Sequence, residues 1–309
     1  AQPAPAGGGP PPLGCLRVLA GHQDAVCCVA ALGGGRVASG SDDQTIRVWD
    51  VATGRCISTM AGHGDAVCCI AALTSEHLVS ASKDKTVKVW DVESGQCVST
   101  MTGHRRAVSC VAAIASNQFV SGAYDRTLKV WDVSEEQCLS TLTGHTDVVV
   151  CLASLGGEQI VSGSNDKTLI IWEVQSGVCL RKLEGHKHCV CSVVALGSER
   201  LLSGSKDMTL RIWDSGSGQC VRTLEGHLSY VRSLGVLLDG ACIVSCSSDR
   251  TLKLWDAASG QCIMTCEGHT DSVVGVVCLA ECLATGSDDR TLRLWGPITD
   301  LGLSRSQKT

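Results

Sequence analysis

Apolar and polar side chains alternate along this chain in short runs, none of them long. Thr45-Ile46-Arg47-Val48-Trp49 has the two-residue period of a strand with one buried face. Runs of similar length flank it, separated by Gly, Asp and Ser turn residues. Together they predict four strands, at roughly 25–32, 36–41, 45–50 and 55–60. All six Pro (3, 5, 10, 11, 12 and 297) fall outside such units, as hydrogen-bonded sheet requires. The chain is read as all-β.

The four-strand unit repeats. Its most regular mark is a tryptophan, at Trp49, Trp90, Trp131, Trp172, Trp213, Trp255 and Trp295, with intervals of 41, 41, 41, 41, 42 and 40. Six residues before each Trp is Asp: Asp43, Asp84, Asp125, Asp166, Asp207, Asp249 and Asp289. Ten before it is a hydroxyl: Ser39, Ser80, Ser121, Ser162, Ser203, Ser245 and Thr285. Four before it is always Thr. A Gly-His pair opens each unit, with His22, His63, His104, His145, His186, His227 and His269. Trp to the next His is always 14 residues. Only His to Asp varies, being 21 five times, then 22 and 20. The slack therefore lies in the hairpin between the first and second strands.

Gly-His followed by Ser-Gly-Ser-x-Asp-x-Thr-Ile-x-Val-Trp-Asp, seven times in register, resembles the WD-repeat (WD40) β-propeller family. The resemblance runs from about Cys15 to Trp295 and implies a seven-bladed propeller of four antiparallel strands per blade. Glu173 and Gly296 depart from it, replacing the Asp after Trp172 and Trp295. It also implies that His, Ser/Thr, Asp and Trp of each unit form a hydrogen-bonded structural tetrad. Residues 15–22 align with 56–63, so the chain begins on an outer strand and ends on a third one. The N-terminal strand is expected to complete the seventh blade and close the ring, leaving no open joint. The domains are then a disordered Ala/Gly/Pro-rich lead at 1–14, one propeller at 15–296 and a short tail at 297–309.

Composition excludes several function classes. Net charge is −5, the wrong sign for a generally basic nucleic-acid binder. Arg47, Lys88, Lys129, Arg211, Lys253 and Arg293 recur two residues before Trp, which spreads their charge around the ring. The longest uncharged stretch, 107–124, is too polar to span a bilayer. No signal peptide opens the chain, which starts on Ala1, as a processed or excised piece would. Ser, His and Asp also spell a hydrolase triad. Seven equivalent copies make a poor active site and a good scaffold.

The 20 Cys look like a disulfide framework until their placement is read. Cys15, Cys56, Cys97, Cys138, Cys179, Cys220 and Cys262 hold one outer-strand position, one per blade, too far apart to pair. Cys28, Cys69, Cys110 and Cys151 recur on the inner strand as small apolar fillers. In the pairs Cys27–Cys28 and Cys68–Cys69, regular strands would turn neighbours to opposite faces. His186, His188, Cys189 and Cys191 spell a metal site. On a strand they diverge, so no metal and no cofactor is expected. Cys242, Cys246, Cys278 and Cys282 are candidate surface thiols near the hairpins. The compartment expected is reducing and intracellular, cytoplasmic or nuclear.

A rigid repeat carries function at its variable positions. In the family, partners often dock on the face bearing the Gly-His loops. Three positions per unit matter there: the third and fifth after His, and the one before the tetrad Asp. Blades 3 to 6 place Tyr124, Asn165, Lys206, Tyr230 and Arg232 at these positions, and Tyr and Arg are enriched in binding hot spots. Blades 7 and 1 place Asp288 and Asp42 there, giving an acidic rim expected to lie opposite. The resulting expectation is a monomeric, non-enzymatic protein-interaction scaffold that takes peptide segments, acidic or phosphorylated, and neither nucleic acid nor membrane. A narrower version is the recognition domain of an F-box-type ubiquitin ligase in a longer chain. Such receptors use several Arg at these positions, and here only Arg232 is Arg. The remote rival is a hydrolase or metal enzyme in the propeller channel.

Overall fold

Twenty-eight strands form seven four-stranded antiparallel sheets in the computed structural model, which describes residues 13–156, 158–237 and 240–298. Blade 1 comprises β2 (Val26–Gly33), β3 (Arg36–Ser41), β4 (Thr45–Asp50) and β5 (Cys56–Ala61), and the next five blades repeat this order. The seventh is different. Strands β26 (Val273–Cys278), β27 (Leu283–Ser287) and β28 (Thr291–Gly296) take β1 (Gly14–Ala20) as their outer strand. Cys15 opposes Trp295 and Ala20 opposes Thr291, so the first strand closes the ring.

Structure starts slightly earlier than the 14/15 boundary. Gly14 is already in β1, and Leu13 is buried with Met264 and Trp295. Residues 1–12 and 299–309, which hold the rest of the expected lead and tail, lie outside the described residues.

The hydrophobic cores lie between blades. Cys28, Ala38, Ile46 and Val48 of blade 1 pack on Val67, Ile70, Leu78 and Trp90 of blade 2. The tryptophans of the later blades sit in the same way. Trp131 packs with Val79 and Val89 of blade 2, Trp172 with Val120 and Val130 of blade 3, and Trp213 with Val161 and Ile171 of blade 4. Trp255 packs with Leu202 and Ile212 of blade 5. At the closing joint, Leu19 joins Leu292, Val37 and Trp49. The blades meet so closely that a Cβ on Gly40 would sit 2.7 Å from both Cys28 Sγ and Val67 Cγ1.

One irregularity recurs in every blade. The pairing of first and second strands slips once, between Val26 and Cys28 in blade 1 and at the same place in the other six. The skipped residue is always the fifth after His: Cys27, Cys68, Ser109, Val150, Cys191, Arg232 or Val274. Such a bulge re-aims a side chain. Here all seven line the central channel, of about 200 Å3. Regular alternation therefore fails for the vicinal cysteines. Cys27 and Cys28 both line the channel, as do Cys68 and Cys69. The hairpin thiols also differ from expectation. Cys242, Cys246 and Cys282 are buried in the interior and Cys278 is half-buried. All 20 cysteines are free.

Candidate functional site

The Gly-His face stands on the seven tetrads. In each, His Nδ1 lies 2.7–3.0 Å from the Asp carboxylate. His Nε2 lies 2.7–2.8 Å from the Ser or Thr hydroxyl. The indole Nε1 of Trp49, Trp90, Trp131, Trp172, Trp213, Trp255 and Trp295 donates to that hydroxyl over 2.7–2.8 Å. With a neutral ring, Trp N–H donates to the hydroxyl, the hydroxyl to Nε2 and Nδ1–H to Asp, which satisfies every buried group. The Thr four before Trp is a further member that spacing alone did not assign. Its hydroxyl donates to the second Asp oxygen at 2.6–2.7 Å.

Charges follow from this geometry. Burial opposes ionisation of Asp43. Hydrogen bonds from Thr45, the Gln23 N–H and His22 outweigh it and hold the carboxyl at about 2. Asp84 and Asp289 are held at about 2 in the same way. Burial lowers the pKa of His22, His63, His104 and His269, with the paired Asp pulling it back. The Ser-His-Asp distances match those of a hydrolase triad, but Ser39 is fully buried and its oxygen already accepts Trp49 N–H. No substrate carbonyl can reach it.

The residue before the tetrad Asp is tied to the third residue after His through main-chain bonds. Lys206 N–H donates to Cys189 O and Ser248 N–H to Tyr230 O, both at 2.9 Å. These anchors and the bulge bring three of the five expected residues together. Lys206 Nζ stands 5.6 Å from the centre of the Tyr230 ring. Arg232 and Cys191 both face the channel. The Cys191 thiol is lowered by its hydrogen bond to Cys189, and Arg232 and Lys206 lower it further against burial. Arg232 thus lines the channel two residues after Tyr230, on which Lys206 stands. Tyr124 and Asn165 hold the equivalent anchored positions in blades 3 and 4. Among the described residues they make no side-chain hydrogen bond or ring contact with that trio.

Sequence reading gave no binding role to three side chains near this trio in sequence or in space. The His188 ring lies 6.4 Å from Tyr230. Leu228 is 85% exposed, and Met208, 44% exposed, edges a cleft of about 400 Å3 with Gly226 and His227. The signal was present as departures from the repeat. Leu228 stands where other blades have Gln23, Gly64, Arg105, Thr146, Lys187 and Thr270. Met208 stands where they have Gln44, Lys85, Arg126, Lys167, Arg250 and Arg290.

The letters of a metal site do not converge. Both nitrogens of His186 serve its tetrad, and His188 Nδ1 accepts the Cys189 N–H at 2.8 Å. No group of three or more metal-binding side chains occurs among the described residues. The basic and acidic arcs adjoin where blades 6 and 7 meet. Burial raises the Asp288 carboxyl while the nearby Arg232 counters it, because blades 6 and 7 are neighbours. Asp42, in turn, pairs with Lys83 at 3.2 Å. No helix among the described residues is long and apolar enough to cross a membrane.

Comparison with known proteins agrees with this architecture. The profile of a β-propeller family described as WDR41 matches residues 9–138. That of the WD domain, G-beta repeat, matches 136–173, 177–214, 218–256 and 260–296. The ribosome biogenesis protein BOP1 of Rattus norvegicus is 50% identical over 48 residues, 15% of this chain and 7% of that protein. The ribosome biogenesis protein erb1 of Schizosaccharomyces pombe is 42% identical over 55 residues, 18% of this chain and 7% of its own. The vegetative incompatibility protein HET-E-1 of Podospora anserina is 54% identical over 41 residues, 13% of this chain and 3% of its own. The matches thus span less than a tenth of these relatives, little more than one repeat.

Proposed function

The chain belongs to the WD-repeat family, and from that premise we propose that it is a non-enzymatic interaction domain gripping an acidic or phosphorylated peptide segment at blades 5 and 6. The observation that supports this reading is Lys206 Nζ standing 5.6 Å from the Tyr230 ring, with Arg232 lining the channel two residues further on. Two cations hold a carboxylate or phosphate, Arg in bidentate fashion. Tyr230 adds contact area with few rotamers to freeze. Exposed Leu228 and Met208 give the flanking residues of the peptide an apolar seat. Tyr124 and Asn165 extend the track across blades 3 and 4. The seven buried tetrads support a structural use of Ser, His and Asp, and the free thiols support a reducing, intracellular setting. What the matched segments share with this chain is the repeat unit, so the roles printed in the relatives' names carry no partner across.

Binding of a phosphoserine peptide, with its serine and glutamate counterparts, tests the reading. The double variant Arg232→Glu with Tyr230→Ala should weaken the phosphopeptide by ~2–4 kcal/mol, with circular dichroism unchanged. Retention by that variant, with loss on Glu158→Lys or Glu199→Lys on the hairpin face, would move the site to the other side of the disc.

A further inference from the structure

The face opposite the Gly-His loops carries a second, chemically different feature. Where blades 7 and 1 meet, a groove of about 870 Å3 opens, more than four times the roughly 200 Å3 of the central channel. Its floor and walls are apolar: Leu16 of β1, Ala31, Val51, Leu279, Leu294 and Pro297. Arg17, Arg36 and Glu281 stand at its margins.

The groove exists because side chains are missing on both sides. On the blade 1 side, the β2–β3 hairpin is Gly33-Gly34-Gly35, with φ of 72°, 59° and 69°. Three successive left-handed residues favour glycine. A Cβ on Gly33 or Gly35 would meet nothing within 4 Å, so the space beside the turn is open. On the blade 7 side, the His-to-Asp spacing is the shortest of the seven, at 20 residues, and its hairpin shows only Ala280 between Leu279 and Glu281.

Charge distinguishes this joint as well. On this face each blade ties one hairpin carbonyl to the chain after its Trp. The residues holding it are Gly35, Glu76, Asn117, Glu158, Glu199, Ala241 and Glu281. Four of the seven are acidic, Glu281 of this groove among them. Blade 1 has no acid there and places Arg36 next. Arg17 is bound to Thr53 O, with Asp50 nearby. Arg36 makes one 3.4 Å contact, to Ser75 O, and no ion pair among the described residues. Most of its five N–H donors are unused.

We infer that this groove is a second docking site, for a short peptide segment of a partner protein bearing two or three large apolar side chains beside an acidic residue. The apolar side chains fill a space within the size range of ligand pockets. The carboxylate meets Arg36, whose N–H donors are mostly unused, on the blade 1 wall, away from Glu281 on the blade 7 wall. This site is independent of the Gly-His face.

The test uses the full chain carrying Arg232→Glu and Tyr230→Ala, which removes the other proposed site and so separates failure of one from failure of the other. A randomised decapeptide library displayed on phage is selected on this protein. The recovered peptides should share paired large apolar residues and an Asp or Glu. Ala52→Trp and Ala280→Trp plug the groove from opposite, exposed walls. Each should weaken a recovered peptide at least tenfold by fluorescence polarisation, with melting temperature unchanged. Arg36→Gln should weaken it three- to tenfold, and have no effect on the peptide whose acid is replaced by its amide. Selection without an acidic bias, or binding that survives both plugs, would overturn the inference. So would peptides that bind only when the chain is cut after Ile298, which would make the chain's own C-terminal segment the occupant.

Discussion

The cluster at blades 5 and 6 and the groove at blades 7 and 1 depart from the same repeat in opposite ways. At blades 5 and 6 the Gly-His loops keep the common main-chain pairing and side chains have been exchanged, while the one extra residue of blade 6 falls between its His and Asp. His188 stands where blades 1, 2, 4 and 7 have Asp24, Asp65, Asp147 and Asp271, and Leu228 and Met208 replace polar residues. At blades 7 and 1 side chains and backbone have been removed, and a cavity results. Substitution makes a surface that protrudes and carries charge. Deletion makes one that recedes and is apolar. The tetrads beneath both are geometrically the same, so the scaffold tolerates either change without loss of its hydrogen bonds.

The most severe way to separate the two regions is to remove β1. Deleting residues 1–20 takes away Leu19, whose burial alone is worth ~2–5 kcal/mol, along with the pairing to β28 and the Leu16 wall of the groove. The melting midpoint should fall by roughly 5–10 °C, with aggregation through the bared edge. Deleting 1–12 should leave the midpoint nearly unchanged. Equal melting of the two truncations would remove β1 as the clasp and the groove as a product of closure.

Next in size is the shared scaffold. Ser203→Ala under the cluster orphans the Trp213 N–H and a His186 nitrogen, and Ser39→Ala beside the groove does the same to Trp49 and His22. Each should cost ~1–3 kcal/mol in chemical denaturation. If one costs far more than the other, local departures and not the repeat set blade stability, and the comparison fails.

Acid should act through the tetrads of blades 1, 2, 3 and 7, which include both blades of the groove. Unfolded, His22, His63, His104 and His269 accept protons near 6.5, whereas burial makes them resist in the folded chain. The unfolded state then binds more protons below that pH, and stability declines as pH falls from about 6.5. The aspartates add a second decline. Asp43, Asp84 and Asp289 contribute fully above about 4, and their contribution is lost as pH falls through about 2. Urea midpoints measured from pH 8 to pH 2 should drop in these two stages, and a flat profile above pH 4 would contradict the neutral-histidine tetrad.

The smallest effect belongs to Asp42→Lys. It breaks a partly exposed pair with Lys83, which is worth at most ~1 kcal/mol. Peptide affinity at blades 5 and 6 should stay within about twofold. A large loss would mean that the binding track circles the whole face.

The strands, the blade count and the closing strand were legible because they depend on spacing, and a 41-residue period survives every substitution. The tetrad positions were legible from spacing, and their bonding only from the resemblance to WD repeats. What the sequence hid depends on register. Nothing in Ala-Val-Cys-Cys-Val announces a bulge at Cys27, yet that slip aims Cys27 and its six equivalents, Arg232 among them, into the channel. The groove was invisible because it is made of absent atoms. Three glycines read as an ordinary turn until the neighbouring blade is in place.

The clasp also orders events in time. Cys15 and Trp295 are paired across nearly the whole chain, so no ribosome can deliver the partner of β1 until the last blade has emerged. At synthesis rates of roughly 5–20 residues per second, β1 waits on the order of 15–55 s with its edge unpaired. Blades 1 to 6 can assemble during that interval, because each needs only its neighbours. The seventh must wait for the two ends to meet, and that long separation in sequence limits how soon a newborn chain becomes safe from its own open edge.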